Sequence, residues 1–119
     1  MSSPLVASVW VGHAPDEAAL EELLLADTTP CDGDALGSVF SRAAGAPALA
    51  SAVRELRVLS TPTREVAALL EGLSFAARLR SALPAETAAP CSAVVVFYGV
   101  APERGAPVHL GGVHLEPLR

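Results

Sequence analysis

The run Ala93-Val94-Val95-Val96-Phe97-Tyr98, closed by Gly99, holds three valines and two aromatic side chains in succession and carries no charge. Branched and aromatic side chains fit a pleated surface, and a short apolar run bounded by turn residues reads as a strand. Downstream, a loop from Ala101 to Pro107 and a strand from Val108 to Leu115 complete a hairpin with it. Val108-His109-Leu110 recurs five residues later as Val113-His114-Leu115. An odd offset puts the two copies on opposite faces of a regular strand, so a bulge at Gly111-Gly112 would restore the phase.

Toward the N-terminus, Leu5 to Val11 is a second apolar run that ends at Gly12, the mark of a buried first strand. Pro15 fits the first position of a helix from Pro15 to Ala26, with Asp16 and Glu17 complementing the positive helix end. Ala19, Leu20, Leu23 and Leu24 form its apolar stripe, while Glu17, Glu21 and Glu22 take the other side. Asp27 to Gly37 is turn-rich and reads as a loop, after which Ser38 caps a short helix ending near Ala44. Ala48 to Glu55 is a good helix former while Val53 to Leu59 has the residues of a strand, and of the two a strand near Val53 to Leu59 is favoured. Thr61-Pro62 has the form of a helix start, a capping hydroxyl followed by proline. Val66, Leu69, Leu70 and Leu73 form one stripe, but Phe75, Leu79 and Leu83 sit about half a turn around the same ideal helix. A break at Gly72 is therefore expected, with Ser74 capping a second helix that runs to Leu83 and stops at Pro84.

Strand, helix, strand, helices and hairpin in that order give an α+β domain, a small and mainly antiparallel sheet with helices packed on it. The 119 residues suffice for a single domain, and 51% of them are apolar, which excludes a disordered polar chain. The longest uncharged stretch, Thr87 to Pro102, is broken by Pro90 and falls short of the roughly 20 apolar residues of a membrane span. Leu5 to Val11 is too short for a secretory signal, so a cytoplasmic location is expected. Two cysteines, Cys31 and Cys91, are too few for a disulfide framework or a thiolate zinc site, and both are read as reduced.

No constellation for catalysis stands out. His109 and His114, brought to one face by a Gly-Gly bulge, would form half of a metal site, but no third ligand has a recognisable spacing; two exposed strand histidines are the plainer account. His13 follows Gly12 and reads as a loop residue. Cys31 precedes Asp32-Gly33-Asp34, whose carboxylates raise a thiol pKa, the wrong direction for a nucleophile. The segment lacks the alternating ligands and terminal Glu of a calcium loop. No phosphate-binding glycine loop, Gly-x-Ser-x-Gly or His-Glu-x-x-His motif is present.

Charge is more informative. Seven acids, Asp16, Glu17, Glu21, Glu22, Asp27, Asp32 and Asp34, precede the first arginine at Arg42, whereas the rest of the chain sets eight arginines against six glutamates. Glu17 and Glu21 form a like-charged i,i+4 pair that costs a helix a few tenths of a kcal/mol. Such a face is either a solvated exterior or a docking surface for a cationic partner.

Several stretches together resemble the immunity proteins of bacterial polymorphic toxin systems, most closely immunity protein family 22. They are Ser8-Val9-Trp10-Val11-Gly12 before an acidic helix, Asp32-Gly33-Asp34 leading to Ser38-Val39-Phe40, Leu69-Leu70-Glu71-Gly72-Leu73-Ser74-Phe75, and the strand into Tyr98 with Gly112-Val113 near the end. They occur in the family's order over nearly the whole chain. The chain departs from the family between Ala46 and Ala52, where alanine replaces acidic and aromatic residues, and at Leu115, which stands for an aromatic.

The resemblance implies an antidote that binds a cognate toxin, often a nuclease, without catalysis or cofactor. A nuclease site must be basic enough to hold phosphate, which an acidic helix and loop would complement. The expected partner is thus a protein, neither nucleic acid nor membrane, and the seven acids of residues 1–41 are the candidate contact residues. The hairpin around Glu103 and Arg104 is the other place for the interface, and Trp10, Phe40 and Phe75 belong to the core. The competing readings are a small hydrolase using Asp32 or Asp34 with His13, and a regulatory subunit assembling through a sheet edge.

Overall fold

The computed structural model describes residues 6–24, 53–99, 107–110 and 112–118. Their elements are β1 (Ala7–His13), α1 (Glu17–Leu24), β2 (Val53–Glu65), α2 (Val66–Leu70), α3 (Ala76–Ala82), β3 (Glu86–Tyr98), β4 (Val108–Leu110) and β5 (Val113–Pro117). All five strands join one sheet in the order β2-β3-β1-β5-β4, and every pairing is antiparallel. The expected short helix at Ser38–Ala44, the Asp27–Gly37 loop, Phe40 and Cys31 lie outside the described residues.

The two apolar runs fall on β1 and β3, two of the three inner strands. β1 pairs with β3 from Ala7 against Tyr98 to Gly12 against Ala93, and nearly every residue along that ladder is buried. Both faces are covered, which is why these strands are uniformly apolar instead of alternating. On one face Trp10, Ala93, Val95, Phe97, Val113 and Leu115 pack with Leu20 and Leu24 of α1. On the other, Val9, Val11, Val94 and Val96 pack with Val66, Leu69 and Leu70 of α2 and Leu79 of α3. Of the stripe read for α1, Leu20 and Leu24 are buried and Ala19 and Leu23 half-buried, with Glu17, Glu21 and Glu22 exposed. Among the described residues no helix is long and apolar enough to cross a membrane.

Several local expectations need correction. Helix α1 begins at Glu17, because Asp16 and not Pro15 makes the start: its carboxylate accepts the Ala19 N–H at 2.7 Å, a side-chain N-cap. Thr61-Pro62 opens no helix, since β2 runs through it to Glu65 and α2 starts at Val66 without a side-chain cap. Register shifts fall between Val58 and Thr63 and between Thr63 and Glu65, so Pro62 sits at an irregularity of an edge strand, where its missing N–H breaks no ladder bond. Ser74 caps no helix either, because α3 starts at Ala76 behind Phe75. The break itself is where the two stripes placed it: α2 stops at Leu70 and Gly72 takes φ +86°.

A further correction concerns the C-terminal hairpin. The chain reverses between Leu110 and Val113, so the two Val-His-Leu copies are two strands of one hairpin, His109 opposite His114. An offset of five, which separates faces on a single strand, sets residues directly opposite across a two-residue turn. β3 does not pair with this hairpin, because β1 lies between them. Gly12, read as the end of β1, is inside it, and His13 is its last residue and no loop residue.

Candidate functional site

Of the seven acids singled out, Asp16, Glu17, Glu21 and Glu22 are exposed on or beside α1; Asp27, Asp32 and Asp34 lie outside the described residues, as do Glu103 and Arg104. Asp16 has a structural task as the N-cap of α1. Glu17 and Glu21 are one turn apart and line a groove of about 620 Å³ whose floor is Val53–Arg57 of β2 and whose far wall is Glu71, Gly72 and Leu73. The groove thus follows the outer edge of β2 and has carboxylates on both sides.

The polar residues of β2 hold that far wall in place. Arg57 Nη1 donates to the carbonyl of Ala68 at 2.8 Å and to that of Glu71 at 2.6 Å, taking up C-terminal acceptors of α2 that no intrahelical N–H reaches. Glu55 accepts a hydrogen bond from the Tyr98 hydroxyl, and others from Ser74 N–H at 3.1 Å and Ser74 Oγ at 2.9 Å. Phe75, assigned to the core from its position in a stripe, is 41% exposed and stands edge-to-face on Tyr98 with ring centroids 5.3 Å apart. The kink after Gly72 turns it off the apolar side. This Glu55, Tyr98 and Ser74 network was missed by the sequence reading, because its members lie 19 and 43 residues apart.

The hydrogen bond from Tyr98 favours the charged form of Glu55 and lowers its pKa; burial opposes it, and the two Ser74 bonds, each a smaller effect, add to the lowering. Burial, followed by the Glu55 carboxylate, raises the pKa of Tyr98. A lowered carboxylate contributes stability that is fully present above the ordinary value of 4.5 and is lost as pH falls below it. A raised phenol contributes stability that is lost as pH rises above its ordinary 10. Replacing Tyr98 by Phe is therefore expected to shrink both the acid-side and the alkaline-side loss of stability, read as urea midpoints from pH 3 to 11. Identical pH profiles for Tyr98→Phe and wild type would mean that the pair does not couple to folding.

The three histidines align across the sheet. His13 of β1 faces His114 of β5, and His114 faces His109 of β4. His13 Nδ1 is 3.2 Å from Ser92 Oγ, and the rings of His109 and His114 stack with centroids 4.0 Å apart and planes 16° from parallel. Imidazole lone pairs lie in the ring plane, so those of two nearly parallel stacked rings do not converge on one ion. Among the described residues no group of three His, Cys, Asp or Glu is arranged to hold a metal. Cys91 is a buried free thiol whose pKa is raised, mostly by burial, away from nucleophilic character. Neither protein-family models, nor curated proteins, nor solved structures give a match to this chain.

Proposed function

We propose that this chain is an immunity protein, a cytoplasmic binder without turnover that docks a cognate toxin, a nuclease by class, through the acidic side of α1. The observation that carries the reading is that Glu17, Glu21 and Glu22 are all exposed on a helix whose opposite side, Leu20 and Leu24, is spent on the core. No cation from α1 relieves the Glu17 and Glu21 repulsion, and Glu21 and Glu22 lie beyond the first turn where a carboxylate favours the helix end, so those two do not serve the helix itself. Their field favours a partner of opposite sign, and a phosphate-binding nuclease cleft has that sign.

Co-expression of this chain with a cognate toxin is expected to restore growth that the toxin alone abolishes. The triple change Glu17→Gln, Glu21→Gln and Glu22→Gln is expected to slow association with the purified toxin about tenfold and to flatten its salt dependence, while dissociation changes less. Folding should be unaffected or slightly improved. Association that is equally fast in the variant, across about 50 to 300 mM salt, would remove α1 from the interface.

A further inference from the structure

We infer that the outer edge of β2 over Val53–Arg57 is a strand-docking site that adds an extended, arginine- or lysine-bearing segment of a protein partner to the sheet. The inference takes the partner's identity from the reading above and states how such a partner would be held. Among the described residues, β2 has β3 on one side and no strand on the other. An edge strand turns alternate N–H and C=O groups outward, a template for another strand unless something blunts it.

The two halves of β2 differ in this respect. From Thr61 onward the edge is disrupted by Pro62 and by two register shifts, the devices that keep edges from pairing. From Val53 to Val58 the ladder with β3 is continuous, residue for residue, against Tyr98 to Ala93. That regular half is the one in the groove, and at its open end the apolar Val53 is 74% exposed.

The walls set the sign of the occupant. Side chains of an added strand point alternately to the two faces of the sheet, here toward Glu17 and Glu21 on one side and Glu71 on the other. Glu55 is already engaged by Tyr98 and Ser74, and Arg57 by two carbonyls. The charges left to face an occupant are then Glu17, Glu21 and Glu71 against Arg54, a net negative set that selects a cationic segment and disfavours an acidic one.

The test uses the full chain and three synthetic peptides of about nine residues: alternating Arg and Val, the same peptide N-methylated at every residue, and alternating Glu and Val. The Arg-Val peptide is expected to bind and to protect the amides of residues 53–57 from hydrogen exchange. Its N-methylated form has the same charge but no backbone N–H donor on either edge, and is expected to bind at least tenfold more weakly. The combined variant Glu17→Gln, Glu21→Gln and Glu71→Gln, all exposed positions, is expected to weaken the Arg-Val peptide about tenfold. Equal binding by the N-methylated peptide, equal binding by the Glu-Val peptide, or protection confined to other strands would each overturn the inference. So would protection of residues 53–57 that rises with protein concentration in the absence of peptide, which would assign the edge to a second copy of the chain.

Exchange measured on the toxin complex separates this from the immunity reading. Neutralisation of the toxin with β2 unprotected sinks the docking edge alone. Peptide docking at β2 with no toxin neutralised sinks the immunity reading alone.

Discussion

Trp10→Ala is expected to unfold at a much lower urea concentration than wild type, with a loss of about 3 to 5 kcal/mol and an unchanged slope. Trp10 is 1% exposed, at the middle of β1, with Val95 opposite it on β3 and Pro117 on β5. Leu20 and Leu24 of α1 close over it from the same face. Truncation opens a cavity walled by backbone of three strands and by one helix, which cannot all collapse into it. It also leaves Ser8 Oγ, 3% exposed as a residue, without the indole N–H that donates to it at 3.0 Å. Trp10→Phe separates the two effects, since it keeps most of the volume and loses the hydrogen bond, for a cost nearer 1 kcal/mol from that bond. A small domain has about 5 to 15 kcal/mol in total, so the alanine variant would stand near its unfolding threshold. A midpoint equal to wild type would place the indole outside the core and undo the packing of α1 described above.

What was legible in the sequence was what nearest neighbours along the chain decide. The Ala93–Tyr98 run, the Leu5–Val11 run and the α1 stripe each carry their burial in their own composition, and the structure buries Ala93–Phe97 of the first, Ala7–Val11 of the second, and Leu20 and Leu24 of the third. The half-turn offset between Leu73 and Phe75 located the break at Gly72 for the same reason. The misreadings have a common cause, which is that a local signal was outweighed by a partner far along the chain. Thr61-Pro62 has the residues of a helix start, but β3 is thirteen residues long and keeps β2 extended up to Glu65 against Glu86. The exception is Gly111-Gly112, read as a bulge within one strand, where the reversal is a local one that the pairing of β4 with β5 across a two-residue connection shows. The candidate site divides in the same way. Its α1 wall is visible in the charge pattern, whereas Glu71 and the β2 edge join it through long-range packing that no spacing encodes.

Gly12→Ala is the most damaging added methyl expected at the glycines among the described residues. A Cβ built at Gly12 would lie 1.7 Å from the carbonyl oxygen of His114, 2.7 Å from its carbonyl carbon and 3.1 Å from the Leu115 Cα. All three contacts are backbone, so no rotamer change relieves them, and β5 must move away from β1 by more than an ångström. Gly12 lies opposite Leu115 in the β1–β5 ladder, which spans only Trp10 against Pro117 to His13 against His114. Displacing one pair in so short a ladder disturbs all of it, and with it the edge hairpin that β5 carries and the burial of Leu115, Val113 and Val108. Ordinary overpacking costs about 1 to 3 kcal/mol because side chains give way; here the loss should exceed that range. Gly72→Ala is the control. Gly72 has φ +86° but open space around its Cβ position, so its substitution should cost only about 1 kcal/mol of backbone strain. The expected outcome is a Gly12→Ala protein whose amides in Val113–Pro117 exchange far faster than in wild type, with those of β2 and β3 less affected if it folds at all. Because the proposed docking edge is on β2, at the opposite side of the sheet from the hairpin, a folded Gly12→Ala protein should still bind the Arg-Val peptide. Stability in Gly12→Ala equal to that of Gly72→Ala would mean that β5 does not approach β1 as closely as the ladder requires.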